Sequence, residues 1–157
     1  MDIVGEREGR VVVRGLTPAD LESVIALDAK NTGQRREQYF ELKLQQNLQE
    51  SGVKVSLAAE VEGCFCGFLL ARVYYGEFGA PEPLAVLDTL DVHPDFRRQG
   101  IGSALMGQLC KNLEGLRVVS LQTQVGWENA ELLGFFRRQG FRPADRFCLD
   151  LEIAPRA

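Results

Sequence analysis

The sequence has no uninterrupted apolar run of the roughly 18 residues that a membrane-spanning helix needs. Its first residues, Met1–Glu8, contain no apolar core and no cationic start, so they do not resemble a secretory signal. Both absences predict a cytoplasmic protein with no membrane partner. In that compartment the four cysteines of the chain are expected to remain reduced thiols.

An excess of positive charge is also missing, because 18 Lys and Arg residues face 22 Asp and Glu residues, giving a net charge of −4. Nucleic-acid-binding proteins normally present a basic face, so no nucleic-acid partner is expected. The pair Cys64-x-Cys66 has no second ligand pair at zinc spacing, and His93, the one histidine, has no nucleophile beside it. The sequence therefore predicts no metal site, and a turn or surface role for His93.

The remaining composition is that of an ordinary globular protein of 157 residues, which suits one domain over residues 1–157. Along the chain, apolar residues recur either at every second position, as in strands, or about every 3.6 residues, as in helices. This spacing predicts six strands and four helices. Thr17-Pro18-Ala19-Asp20 is typical of a helix start. The mixed order of elements predicts an α/β (α+β) fold with a mixed sheet. The predicted strands span residues 11–13, 53–62, 64–75, 84–92, 116–125 and 147–153, and the helices span about 17–28, 40–48, 101–114 and 129–139.

The segment most informative about chemistry is the end of the fourth predicted strand, a short turn and the start of a helix. Gly100 and Gly102 let main-chain amides in this turn approach a ligand closely. Those amides and the helix dipole favour an anion, and Arg97 and Arg98 add charged donors. The residues themselves thus predict a phosphate-binding turn. The alternative is a tight turn without a ligand, in which the two arginines are only a solvated face.

Two common phosphate motifs do not fit this turn. A P-loop needs a Lys-Ser/Thr pair after its second glycine, where this chain has Ser103-Ala104. The dinucleotide fingerprint needs a small residue at the position of Leu105. A phosphate site of another type is therefore expected.

The motif Arg97-x-x-Gly100-x-Gly102, after a strand ending in Val92-His93-Pro94, resembles that of the GNAT superfamily of acyl-CoA-dependent N-acyltransferases. A second feature of that family is an Asn, a helix with an aromatic residue, and Gly-Phe, which here are Asn129, Phe136 and Gly140-Phe141. The likeness covers nearly the whole chain. It implies the GNAT fold: a twisted mixed sheet of six to seven strands, about four helices, and a splay between strands 4 and 5.

The resemblance implies acetyl-CoA as cosubstrate. Its pantetheine arm would lie in the splay beside the fourth strand, with the diphosphate on amides of the turn and of the first helical turn. A domain that binds a phosphate other than that of coenzyme A remains the alternative at this turn. The implied cofactor-binding residues are Leu90, Val92, Arg97, Arg98, Gln99, Gly100, Ile101, Gly102, Ser103, Ala104, Asn129 and Phe136.

The implied reaction is direct attack of a primary amine on the thioester. Asp88 is the predicted catalytic residue, because some polyamine acetyltransferases of the family carry a Glu at the matching place. By strand parity it should share a face with Leu90 and Val92, whereas Asp91 should point to the opposite face. The alternative is that Asp88 only forms an ion pair on a wet sheet face.

Two positions depart from the family. Phe136 stands where members often have the Tyr that protonates the leaving thiolate, and Gln124 stands where ribosomal-protein acetyltransferases have a Glu base. These departures favour a second hypothesis, a non-catalytic acyl-CoA-binding or sensing module of the same fold. Residues 31–38 border the acceptor site in relatives, but their charges are mixed here. The acceptor, a small molecule or peptide amine, is therefore not indicated, and a homodimer remains an open alternative.

Overall fold

The structure is a computed structural model that describes residues 11–155. Its contacts divide the chain into two compact units, the first ending at Gln124 and the second beginning at Val125. The single domain expected from the length stays a prediction.

The first unit is built on a mixed sheet whose spatial order, β1-β2-β3-β4-β5, is also the order along the chain. Neighbouring strands from β1 to β4 are antiparallel, and β4 and β5 are parallel. The predicted mixed sheet is therefore confirmed, with five strands among the described residues. The strands are β1 (Val11–Gly15), β2 (Leu57–Val61), β3 (Cys64–Tyr74), β4 (Leu84–Val92) and β5 (Ser120–Thr123).

Two helices, α1 (Leu21–Thr32) and α2 (Glu37–Leu44), follow β1, and α3 (Ile101–Gly115) follows β4. The predicted start of α1 is confirmed: a 3-10 turn precedes it, and the Asp20 carboxylate accepts from the main-chain N–H of Thr17 at 2.8 Å. This bond satisfies a donor that the helix start would otherwise leave without a partner. A π-helical turn, Gln45–Gln49, extends α2.

The sheet packs against helices on both faces. One buried cluster joins α1 and α2 to the sheet through residues such as Val24, Phe40 and Phe68. On the other face, α3 comes so near to β3 that a Cβ added at Gly67 would lie 2.9 Å from Cγ2 of Ile101. Gly67 therefore permits the close approach that fixes the first residue of α3.

The second unit contains α4 (Ala130–Arg138), which Asn129 caps at its N-terminal end and which ends before Gly140. Gly140 has a φ of 101°, as expected for a residue that closes a helix in the left-handed region. This part of the secondary-structure prediction is confirmed.

The predicted count of six to seven strands was wrong by at least one among the described residues. Residues 147–153 alternate as a strand should, but no strand forms there, and Phe147, Leu149, Leu151 and Ile153 are 83–94% exposed. Alternation describes a side-chain pattern, whereas a strand also needs a hydrogen-bonding neighbour. The fifth strand is also shorter than the predicted 116–125, because the end of α3 uses the main chain of residues 116–118, with Val118 N–H bonded to Leu113 O.

Candidate active site

The last residues of β4 have an open edge in the described part of the first unit. β4 pairs with β5 only from Leu84 to Leu87, so the register ends there on that side. On the other side His93 N–H donates to Cys66 O at 2.8 Å. Hydrogen-bonded and non-bonded pairs alternate in an antiparallel ladder, so the main-chain groups of Leu90 and Val92 point away from β3. On this edge the N–H groups of Leu90 and Val92 and the carbonyl of Leu90 can pair with the amide groups of a ligand, whereas the carbonyl of Val92 already accepts from Nδ2 of Asn31 at 3.0 Å.

A β-bulge lies in β4 at Asp88. Leu70 pairs with Thr89 and Ala71 pairs with Leu87, which leaves Asp88 as the additional residue. A bulge interrupts the alternation of side chains and commonly re-aims one of them next to an active site.

The bulge corrects the parity expected from sequence. The Asp88 carboxylate forms an ion pair with Lys43 of α2, and the carboxylate of Asp91 accepts from Asn31 of α1. Both carboxylates therefore face the α1–α2 side of the sheet. Val92 pairs with Gly67, which faces α3. Asp88 therefore lies on the face opposite to Val92, and the predicted shared face was wrong. Whether Asp88 acts in catalysis stays a prediction.

The predicted ligand turn connects β4 to α3. His93 opens it by accepting from Asp95 N–H at its Nδ1, 3.1 Å away, which agrees with the turn role predicted for this histidine. Arg98 (φ 65°) and Gly100 (φ 76°) both occupy the left-handed region, and this turns the chain into the helix. A non-glycine residue in that region is strained, and such strain is concentrated at functional sites. Gln99 bonds back within the turn, from its Nε2 to Asp95 O.

The first turn of α3 presents main-chain amides. The first helical bond runs from Ala104 N–H to Gly100 O at 2.9 Å. The amides of Ile101 and Gly102 therefore have no acceptor within the helix. The side chain of Ile101 is 1% exposed and anchors this turn, while Ser103 lies exposed. Together with the guanidinium groups of the turn, this geometry suits a diphosphate.

A pair of carboxyl groups lies beside β4 on the α1–α2 side. Burial, and then the neighbouring Asp28, raise the pKa of Asp91 to about 7. Burial alone would raise the pKa of Asp28 too, but hydrogen bonds from Arg36 and Asp91 outweigh it and lower that pKa. Arg36 contacts both oxygens of Asp28, at 2.9 and 2.7 Å. Below neutral pH the pair therefore holds one proton, which resides on Asp91 rather than on Asp28.

Sequence reasoning did not find Asn31, Asp28 or Lys43 as neighbours of β4. Asn31 lies 60 residues before Asp91 and donates to its Oδ1 at 3.2 Å. None of the three belongs to a motif, and helical spacing alone does not say which strand a helix covers. The sequence indicated only that residues 31–38, a range that includes Asn31, border the acceptor site in relatives.

The second unit holds the other two predicted cofactor residues. The Asn129 side chain accepts from Leu132 N–H at 3.2 Å, so it caps α4. Phe136 is buried, and its ring lies 4.9 Å from that of Phe141, centroid to centroid. Their proposed contact with a cofactor stays a prediction.

Within residues 11–155, no three His, Cys, Asp or Glu side chains lie together as a metal site would require. In the same range, none of the helices has both the length and the apolar character needed to cross a membrane. Cys66 is buried, which raises the pKa of its thiol to about 11, and its Sγ contacts Ala59 O.

Comparison with known proteins gives the class. The structure is similar to that of Ard1 from Thermoplasma volcanium, with 26% sequence identity and a TM-score of 0.69, over 85% of this chain and 83% of that one. It is also similar to the aminoglycoside N-acetyltransferase AAC(6')-Iy, solved in complex with CoA (18% identity, TM-score 0.76, 92% of this chain and 95% of that one). A third similar structure is the ribosomal-protein-alanine N-acetyltransferase from Brucella melitensis biovar Abortus 2308, with 21% sequence identity and a TM-score of 0.73, over 92% of this chain and 99% of that one.

These structures share a mixed α/β architecture with the present chain. The model of the acetyltransferase (GNAT) family matches residues 21–141, well over half of the sequence. The chain belongs to the GNAT acetyltransferase family, as its motif indicated.

Proposed function

We propose that the protein is an acetyl-CoA-dependent N-acetyltransferase that acetylates a primary amine of a small molecule or a peptide. The observation that carries the proposal is the open edge of β4 at Leu90 and Val92, directly before the Arg97–Gly100 turn and the amides of α3. A strand edge can pair with the amide groups of a pantetheine arm, and a helix start can bind its diphosphate. Two similar proteins, an aminoglycoside and a ribosomal-protein acetyltransferase, support the same reaction class.

The reaction forms a bond between the amine nitrogen and the acetyl carbon and breaks the carbon–sulfur bond. One amine proton passes to Asp88, directly or through water, and is then released to solvent. The leaving thiolate takes a proton from solvent, since a thiol with a pKa of about 8.5 needs little assistance. Phe136 cannot supply that proton, because its ring has no hydroxyl group. Most of the acceleration then comes from holding both reactants together.

The carboxylates on the α1–α2 side of β4 are compensated and do not select the charge of the acceptor. Lys43 pairs with Asp88, and Arg36 pairs with Asp28. An amine that arrives as an ammonium group would have to lose a proton before it attacks.

Turnover with a panel of amines tests the proposal. Purified protein, acetyl-CoA and polyamines, aminoglycosides, amino acids or peptides should give an acetylated product, detected by mass spectrometry. Mass detection is preferable to a thiol dye, because the exposed Cys64 and Cys110 would react with the dye. Arg97→Glu should suppress product formation by about tenfold or more, since it places a negative charge at the diphosphate site.

The chain contains a matched control for that variant. The pentapeptide Phe-Arg-Arg-Gln-Gly occurs at residues 96–100 and again at 136–140, where Arg137 is exposed at the end of α4. Arg137→Glu makes the same charge change in the same local sequence, and we expect little loss of activity. Equal losses from both variants would contradict a specific role for Arg97.

The second candidate is a module that binds acyl-CoA without transferring the acyl group. Phe136 favours it, because the position is both apolar and buried. Tight binding of acetyl-CoA in calorimetry, with no acetylation across the whole panel, would support this candidate over the enzyme. Absence of stabilisation by CoA in a thermal-shift assay would exclude both.

A further inference from the structure

The side chain of Asn31 connects α1 to two parts of the candidate active site. Its Nδ2 donates to Val92 O at 3.0 Å and to Asp91 Oδ1 at 3.2 Å. Its Oδ1 accepts from Nη2 of Arg97 at 2.9 Å. A side-chain amide has two N–H donors and one carbonyl oxygen, so all three groups are used. The reversed amide would place N–H groups against a guanidinium, and this fixes the orientation shown.

Each partner of Asn31 has a separate place in the proposed site. Val92 lies on the open edge of β4, and Arg97 lies in the turn that precedes α3. Asp91 shares a proton with Asp28 on the acceptor side. Asn31 itself lies in the last turn of α1, just before residues 33–36, which link the first two helices. One side chain therefore joins the acceptor-side helix to the turn proposed to bind the diphosphate.

The hydrogen bond to Asn31 restricts the rotamers that the side chain of Arg97 can adopt. Arg97 is exposed, and the long side chain of an exposed arginine samples many rotamers. A residue that holds the guanidinium in one place before the ligand arrives reduces the conformational entropy lost on binding. The bond uses only one of the five N–H donors of the guanidinium, so the others remain for a diphosphate.

We propose that Asn31 is a positioning residue for coenzyme A, which acts by holding Arg97 in the orientation that binds the diphosphate. This inference rests on the proposed function, because it requires that the turn binds CoA. Asn31 does not itself contact the ligand in this account. Its contribution is transmitted through Arg97.

A purely structural role for Asn31 would have a different consequence. If the side chain only joined α1 to β4, its loss would weaken CoA binding independently of Arg97. The free-energy changes of the two substitutions would then add, as they do for independent sites. A role through Arg97 predicts that they do not add.

The test is a double-mutant cycle measured by calorimetric titration with CoA alone. We expect Asn31→Ala and Arg97→Ala each to raise the Kd about tenfold. The double variant should bind no more than about twofold more weakly than Arg97→Ala. A double variant about a hundredfold weaker than wild type would overturn the inference, as would an unchanged Kd for Asn31→Ala.

Two further measurements separate positioning from damage to the fold. Asn112→Ala removes a comparable side-chain bond, 2.9 Å from Gln108, on α3 and should leave the Kd unchanged. Thermal unfolding should show that Asn31→Ala is folded at the temperature of the titration. A rise in Kd for Asn112→Ala equal to that for Asn31→Ala would contradict the inference.

The same titration distinguishes this inference from the proposed function. Wild-type protein that does not bind CoA would overturn both. Wild-type protein that binds CoA and transfers acetyl groups, with an additive cycle, would overturn only the role of Asn31.

Discussion

The carboxyl groups of Asp28 and Asp91 share one proton between α1 and β4. With both ionised, Oδ2 of Asp91 is buried without a hydrogen-bond donor. A proton on Asp91 supplies the missing bond, to Asp28, which in turn accepts from Arg36. The protonated state is thus the one in which every buried polar group of the pair is satisfied.

The stability of the protein should fall as the pH rises through the range in which this proton is lost. The folded pKa of Asp91 is about 7, above its ordinary 3.8, so the folded state binds the proton more tightly than the unfolded state. That stabilisation is complete below the ordinary value and is lost as the pH approaches 7. Asp91→Asn keeps a donor toward Asp28 at every pH. It should therefore raise the Tm at about pH 8 by roughly 2–4 °C, and raise it less at about pH 5, where only part of the stabilisation of the wild type has been lost.

Thermal unfolding of both proteins across this range is the measurement. Glu41→Gln, on the exposed side of α2, serves as the charge-matched control and should show the same small difference at both pH values. A wild-type Tm that rises from about pH 5 to about pH 8 relative to Asp91→Asn would show that Asp91 is not the proton-bearing group.

Asp88→Asn should lower kcat by about 100-fold while leaving the Kd of acetyl-CoA within about twofold. The amide cannot accept the amine proton, but it has the same shape and lies away from the proposed cofactor turn. Steady-state kinetics with the identified acceptor and calorimetry with acetyl-CoA measure the two quantities.

Lys43→Met is the companion variant for Asp88. It removes the ion pair and keeps the carboxylate, so kcat should fall far less than in Asp88→Asn. Similar losses of kcat in the two variants would indicate that Asp88 is only an ion-pair partner.

Gly67→Ala should destabilise the protein by about 1–3 kcal/mol. The new methyl group would lie 2.9 Å from Ile101 Cγ2 and 3.2 Å from both Asp91 O and Leu105 Cδ1, so the start of α3 must move. Because that start is part of the proposed diphosphate site, the Kd of CoA should rise as well. Chemical denaturation and calorimetry report the two effects.

Gly107→Ala is the control within the same helix. Nothing lies within 4 Å of a Cβ added there, and alanine favours a helix over glycine by about 0.5–1 kcal/mol. This variant should be more stable than wild type. Equal destabilisation by both alanines would refute the explanation given for Gly67.

Asp20→Asn should reduce stability by about 1–3 kcal/mol near neutral pH. Hydrogen bonds from Arg14 lower the pKa of Asp20, so its carboxylate stabilises the fold fully above the ordinary value of 3.8 and loses this effect as the pH falls below that value and through the lowered pKa of the folded state. The two proteins should therefore converge in stability toward about pH 3. Denaturation at several pH values measures the convergence, and a constant difference would exclude this cause.

Local patterns were sufficient to predict much of the fold. The start at Thr17–Asp20, the alternation in β2 and β3, and the Arg-Gly turn before α3 each depend on neighbouring residues, so the sequence contains their signals. The family motif added the topology. These features led to the correct family and to a site in which the turn and the end of β4 adjoin.

Contacts between residues that are distant in the sequence could not be predicted from local patterns. One additional residue in β4 reversed the parity assigned to Asp88, and no local pattern marks a bulge between two apolar runs. Asn31 meets Arg97 across 66 positions of sequence, which depends on how α1 packs. The alternation at 147–153 was clear, but whether a neighbour pairs with it is a property of the whole chain.

The two halves of β4 differ in a way that hydrogen–deuterium exchange can follow. The first half has strands on both sides, whereas Leu90 and Val92 turn their main chain to an open edge. Amides at such an edge take up deuterium early, and amides held in a ladder take it up late. The first half of β4 therefore serves as the reference for the second half in the same experiment. The difference in deuterium uptake between the two halves should become smaller when the amide groups of a ligand pair with the edge.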